Sequence, residues 1–156
     1  MELYKIVTSL DGKMEEKSAQ LKKNGVFERY KVIHKAYADL HKQDLEALKR
    51  GLFLIWYALV EPPCFTGIND LNAEAENRII HTLERRLRQN LIDYELEWML
   101  SYYATWDYVF ERFSEYDELQ RKLKQADTEL PSSINKQDMT NRGQMGVYWN
   151  SLNWFD

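Results

Sequence analysis

The stretch GLFLIWYALVEPPCFTGIND, residues 51–70, admits three readings: a membrane anchor, a reactive-cysteine site, or the central helix of a soluble core. Its apolar run extends only from Leu52 to Val60, with Arg50 before it and Glu61 after it. Crossing a bilayer takes about 18 or more apolar residues, so the run is too short and its flanks block extension. Cys64 follows Pro62 and Pro63 in a loop, and no histidine shares its segment. A thiol with neither an imidazole nor a helix N-terminus to lower its pKa is a poor nucleophile, so Cys64 is expected to be a small buried residue closing the turn. What remains is a helix over residues 45–60 whose second half is apolar on every side, the pattern of a central element with Trp56 and Leu59 buried.

Asp44 stands where that helix needs an N-cap, and the two prolines end it by removing a backbone donor and forcing their predecessor out of the helical region. Upstream, Val26, Tyr30, Ile33, Tyr37 and Leu40 share one face of a helix over 26–42, opposite Glu28, Lys31, Lys35 and Asp39. These two helices make a first αα-hairpin. A second begins near Ala73, capped by Asp70 or Asn72, with Ile79, Ile80, Leu83 and Leu87 inward and Arg78, Arg85 and Arg88 outward. Asn90 and Asp93 resemble a capping pair that opens the longest helix, residues 91–116. Its apolar face is Trp98, Met99, Tyr102, Trp106, Val109, Phe110 and Phe113, and Met99, Tyr103 and Phe110 are expected to be buried.

The ends are less periodic. Residues 1–23 read as a short strand followed by a helix capped by Asp11 and running through Leu21. Residues 125–146 contain Pro131, Ser132, Ser133, Asn135, Asn141 and two glycines and read as irregular chain. The aromatic end, with Tyr148, Trp149, Leu152, Trp154 and Phe155, is too apolar to stay in water and is expected to dock on the core. The fold expected is therefore all-α: a compact helical bundle of four to five main helices built from two αα-hairpins. It forms a single domain, 1–156, in which 125–156 is a mostly irregular C-terminal segment.

Composition narrows function. The chain has 156 residues, 44% hydrophobic, with a net charge of −4, which speaks against a phosphate-backbone binder, so no nucleic-acid partner is expected. One cysteine excludes an internal disulfide framework, and the acidic start, with Glu2 and Asp11, does not resemble a secretory signal, so a cytoplasmic protein is expected. There is no Walker sequence, no GxGxxG and no HExxH; His34 and His41 lie seven apart, whereas helical metal ligands lie three or four apart. They are read as edge or surface histidines, and no cofactor or metal is expected.

The 91–116 helix, continued towards Leu123, offers the sharpest candidate. On a 3.6-residue wheel Asp93, Glu97, Asp107, Glu111, Glu115 and Glu118 fall opposite the apolar face as a one-signed stripe, which suits docking to a basic protein partner. Glu95 is the exception: it falls among Trp98, Tyr102 and Trp106, where a carboxylate must find a cation or be pushed towards its neutral form. The expected function is a non-enzymatic soluble protein–protein interaction module that neutralises a basic partner, as an immunity protein does. Two alternatives stand beside it: an enzyme with a site near Glu61, Cys64 and Glu95, and a structural homo-oligomer assembled through the aromatic tail.

Overall fold

The computed structural model describes residues 3–40 and 42–152, and every regular element among them is helical, with no strand. In chain order these are α1 (Leu3–Thr8), α2 (Met14–Lys23), α3 (Val26–Leu40), α4 (Leu45–Val60), the single turn α5 (Pro63–Thr66), α6 (Ala73–Arg88), α7 (Tyr94–Tyr103), a 3-10 helix (Asp107–Phe113), α8 (Asp117–Gln125), a 3-10 turn (Lys136–Met139) and α9 (Gly143–Ser151). None of these helices is long and apolar enough to cross a membrane. The chain divides into two compact units, Met1–Arg78 and Ile79–Asp156.

The first unit is organised by α4. Asp44 caps it as expected, its carboxylate accepting the N–H groups of Glu46 at 2.9 Å and Ala47 at 3.4 Å. Every residue from 51 to 56 is buried, and α3 packs along the helix. At about 1.5–3 kcal/mol for each large apolar side chain withdrawn from water, Leu52, Phe53, Leu54, Ile55 and Trp56 dominate this core. Leu59 corrects the expectation: in the last turn of α4 it is 46% exposed. The buried stripe of α3 is also rotated, running through Val26, Tyr30, His34 and Ala38 at four-residue spacing, while Leu40 is exposed. His34 is thus interior rather than at an edge, its Nε2 lying 3.2 Å from the Gly51 carbonyl. His41 lies outside the described residues.

The prolines act as the sequence requires. Glu61 leaves the helical region, Pro62 and Pro63 start the one-turn α5, and Cys64 is buried within it. The turn ends at Gly67 in the left-handed region, φ +76°, where a Cβ would meet Val7 at 2.7 Å and Tyr30 at 2.9 Å. The N-terminal segment is helix, not strand: Leu3 and Val7, four residues apart, are both buried on one face of α1.

The second unit departs most from expectation. Asp93 does cap a helix, accepting the Leu96 N–H at 2.8 Å, but that helix ends at Tyr103. The 91–116 helix is replaced by α7, a break at 104–106 and the 3-10 helix. The N–H groups of Thr105 and Trp106 turn to carbonyls three residues back, and Trp106 adopts φ −107°, ψ 75°. No glycine or proline marks this point; it falls in a run of aromatic and β-branched residues with weak helix propensity, where packing decides the path. The apolar face survives the break because three-residue steps keep Val109, Phe110 and Phe113 inward, whereas Tyr102 and Trp106 become half-buried. The C-terminal segment is likewise more regular than expected, since the 3-10 turn and α9 fall inside it. Trp149 docks completely buried; Trp154 and Phe155 lie outside the described residues.

Gly146 sets how closely α9 approaches the 3-10 turn, since a Cβ at this position would lie 2.0 Å from the Met139 carbonyl oxygen. Gly146→Ala is expected to cost about 1–3 kcal/mol by overpacking and to shift tryptophan emission to the red as Trp149 is displaced. An unchanged thermal midpoint and emission spectrum would refute this account of the packing.

Candidate functional site

The six acidic residues assigned to one stripe have different fates once the helix breaks. Asp93 is the cap of α7. Glu97 is half-buried, with an oxygen 3.8 Å from Lys122 Nζ on α8. Glu118 begins α8 and pairs with Arg121 one turn on. Asp107, Glu111 and Glu115 remain: all three are exposed, and their carboxylates form no hydrogen bond or ion pair among the described residues. They lie on or just after the 3-10 helix, and the same short segment presents two residues the sequence reading missed, exposed Tyr108 and exposed Asp117. Asp117 was hidden by the wrong helical phase, which put it on the apolar side; Tyr108 carries no charge and so was absent from the stripe, although both a 3.6-residue and a three-residue period bring it beside the acids.

The carboxylate that organises this region lies elsewhere. Glu84, on α6, has a side chain only 7% exposed. Its Oε2 accepts the Leu119 N–H at 2.8 Å, and its Oε1 accepts the Glu118 N–H at 3.1 Å and Arg88 at 2.9–3.0 Å. Tyr116 occupies the N-cap position of α8 and supplies no side-chain bond, so Glu84 performs the capping from another helix. Burial acts to raise its pKa, but the two backbone donors and Arg88 outweigh that and hold it below the ordinary carboxyl range.

A surface groove of about 450 Å³ opens beside it, lined by His81, Glu84, Arg85, Arg88, Glu115 and Tyr116. His81 and Tyr116 meet edge to face at 6.4 Å. The groove gathers cations and a phenol, but its one withdrawn carboxylate is engaged in capping and is no free acid or base.

The residues of the enzymatic alternative are distributed over both units. Cys64 is buried and Glu61 is the exposed C-cap of α4, both in the first unit; Glu95 belongs to the second. Glu95 does find the cation its position demands. A donor is Arg142, from the C-terminal segment: Nη2 lies 2.5 Å from Oε1 and Nη1 3.0 Å from Oε2, a fork on a pair with side chains 13% and 26% exposed. No group of three or more His, Cys, Asp or Glu able to hold a metal occurs among the described residues. Comparison with known protein families, with curated proteins and with solved structures finds no match.

Glu84 generates a pH prediction. A carboxyl held below its ordinary value, near 4.5, contributes stability that is complete above that value and is lost as pH falls through the lower folded value. Glu84→Gln is expected to cost about 1.5–3 kcal/mol at neutral pH and to flatten the acid limb of a stability–pH profile. Equal acid sensitivity in the variant and the parent protein would show that Glu84 does not clamp α8.

Proposed function

We propose that the protein is a non-enzymatic interaction module that binds a basic protein partner through Asp107, Glu111, Glu115 and Asp117, with Tyr108 among them. The observation that carries this reading is the contrast in charge partners. Glu84, Glu95, Glu97 and Glu118 each hold an internal cation, whereas these four are exposed and hold none among the described residues. Exposed carboxylates of one sign on a short segment concentrate the field that steers a basic partner and selects against acidic ones. Tyrosine adds contact area at low conformational cost and is enriched at such surfaces. Neutralisation of a basic protein, in the manner of an immunity partner, is the specific form we assign to this activity, in a cytoplasmic setting.

The test is affinity capture from the native cell followed by mass spectrometry, with the parent protein and a variant in which Asp107, Glu111 and Glu115 are all changed to Lys. Capture of a lysine- and arginine-rich partner is expected to weaken by about tenfold or more in the variant, equivalent to roughly 1.4 kcal/mol. The thermal midpoint should move little, because exposed substitutions away from special contacts usually cost no more than about 0.5 kcal/mol each. Raised salt should weaken capture as well, since such charges are screened beyond about 8 Å at physiological ionic strength. A partner held equally tightly through charge reversal and salt would overturn the proposal.

A further inference from the structure

The C-terminal part of the second unit is an arm on a strap. Residues 127–134 form no hydrogen bond or ion pair among the described residues, and none of them is buried. Beyond them, residues 136–151 brace one another. The 3-10 turn packs on α9, Gly146 sits against the Met139 carbonyl, and Asn150 Nδ2 donates to the Lys136 carbonyl at 3.1 Å.

The seat of this arm is one face of α7. Arg142 forks onto Glu95, and Trp149 packs edge-on against Trp98 at 4.9 Å and Tyr102 at 5.0 Å. The Tyr148 and Tyr102 hydroxyls share a hydrogen bond of 2.5 Å. Residues 95, 98 and 102 recur at helical spacing, so the seat is a continuous stripe on α7 alone.

We propose that the arm is exchangeable, so that the arm of a second copy fills the α7 seat and two chains form a reciprocal dimer. Every contact made within one chain is remade between two, so the balance between the forms is set by the strap and not by the seat. A flexible strap of eight residues, 127–134, has a root-mean-square reach of about 16 Å, which holds the arm near its own seat at an effective concentration on the order of millimolar. Exchange therefore grows as the chain approaches that concentration, and a dimer formed during refolding is held by the same buried Trp149 that holds the closed monomer. This proposal is independent of the acidic surface.

The test uses two full-length variants, Glu95→Arg and Arg142→Glu. Each alone places like charges at the seat. When the two are unfolded, mixed and refolded at high concentration, one exchanged heterodimer pairs the new arginine at position 95 with the new glutamate at position 142 and restores the original pair in the other seat. Native mass spectrometry is expected to show this heterodimer at about tenfold the dimer fraction of either variant alone. The double variant is expected to return to parental behaviour. A mixture that stays monomeric while the double variant folds normally would overturn exchange. If the double variant does not fold, isotopically light and heavy parent chains refolded together decide the matter: mixed-mass dimers that persist on dilution support exchange, and monomers alone overturn it. Dimers whose fraction is unchanged when residues 129–132 are deleted from the strap would also overturn it, since they would form through another surface.

Discussion

The second unit hangs on the carboxylate of Glu84. Burying a charge is costly unless donors surround it, and here two backbone N–H groups and a guanidinium do so. The gain falls on α8, whose own N-cap residue offers no side-chain oxygen. Once α8 is anchored, Gln120 donates from Nε2 to the carbonyls of Phe110 and Phe113, both at 3.1 Å, and satisfies acceptors that a short 3-10 helix leaves open. The exposure of Glu111 and Glu115 is thus a downstream result of one buried acid on another helix: fixing α8 fixes the backbone that turns them outward.

Local signals in the sequence were read correctly where one residue type has one strong backbone preference. Asp44 caps α4, Asn72 caps α6 through the Ala75 N–H at 2.9 Å, and Pro62 and Pro63 end one helix and begin a turn. The apolar run of α4 announced its burial. The break at 104–106 carried no such signal, because its cause is tertiary: Val109, Phe110 and Phe113 fill the core of the second unit while Gln120 of α8 holds the carbonyls of the two phenylalanines. A 3.6-residue wheel drawn through that point kept the apolar face, which tolerates steps of three or four, but misplaced the polar one. Glu95 was legible as a conflict between pattern and environment, yet its partner was not, since Arg142 lies 47 positions away in a segment that read as irregular.

Charge on a helix face is not a property of sequence alone. Of six acids assigned to one stripe, Asp93 serves the backbone and Glu97 and Glu118 meet cations on α8. What separates the remainder is geometry: Asp107, Glu111 and Glu115 sit where the chain has turned out of register with Arg121 and Lys122. An acidic surface defined this way is smaller than the predicted stripe but better suited to a partner, because no internal cation must be displaced before it can act. Glu84 and Glu95, two carboxylates of the second unit with restricted exposure, both hold cationic donors within that unit.

The seat of α9 divides energy from specificity. Trp149 is completely buried against three aromatic rings of α7 and supplies the larger share of the docking free energy. Aromatic surfaces alone tolerate sliding, since edge-on contacts at 5–6 Å are available in several registers. The Glu95–Arg142 fork removes that freedom: a planar guanidinium meeting both oxygens of a half-buried carboxylate has one productive geometry, which lysine could not reproduce. Partly buried ion pairs contribute little net stability over a well-packed apolar pair, but breaking one leaves a stranded charge. Arg142 therefore acts as the address and Trp149 as the anchor. A helix entering this seat, from the same chain or from another copy, must present an arginine and, two turns later, a tryptophan.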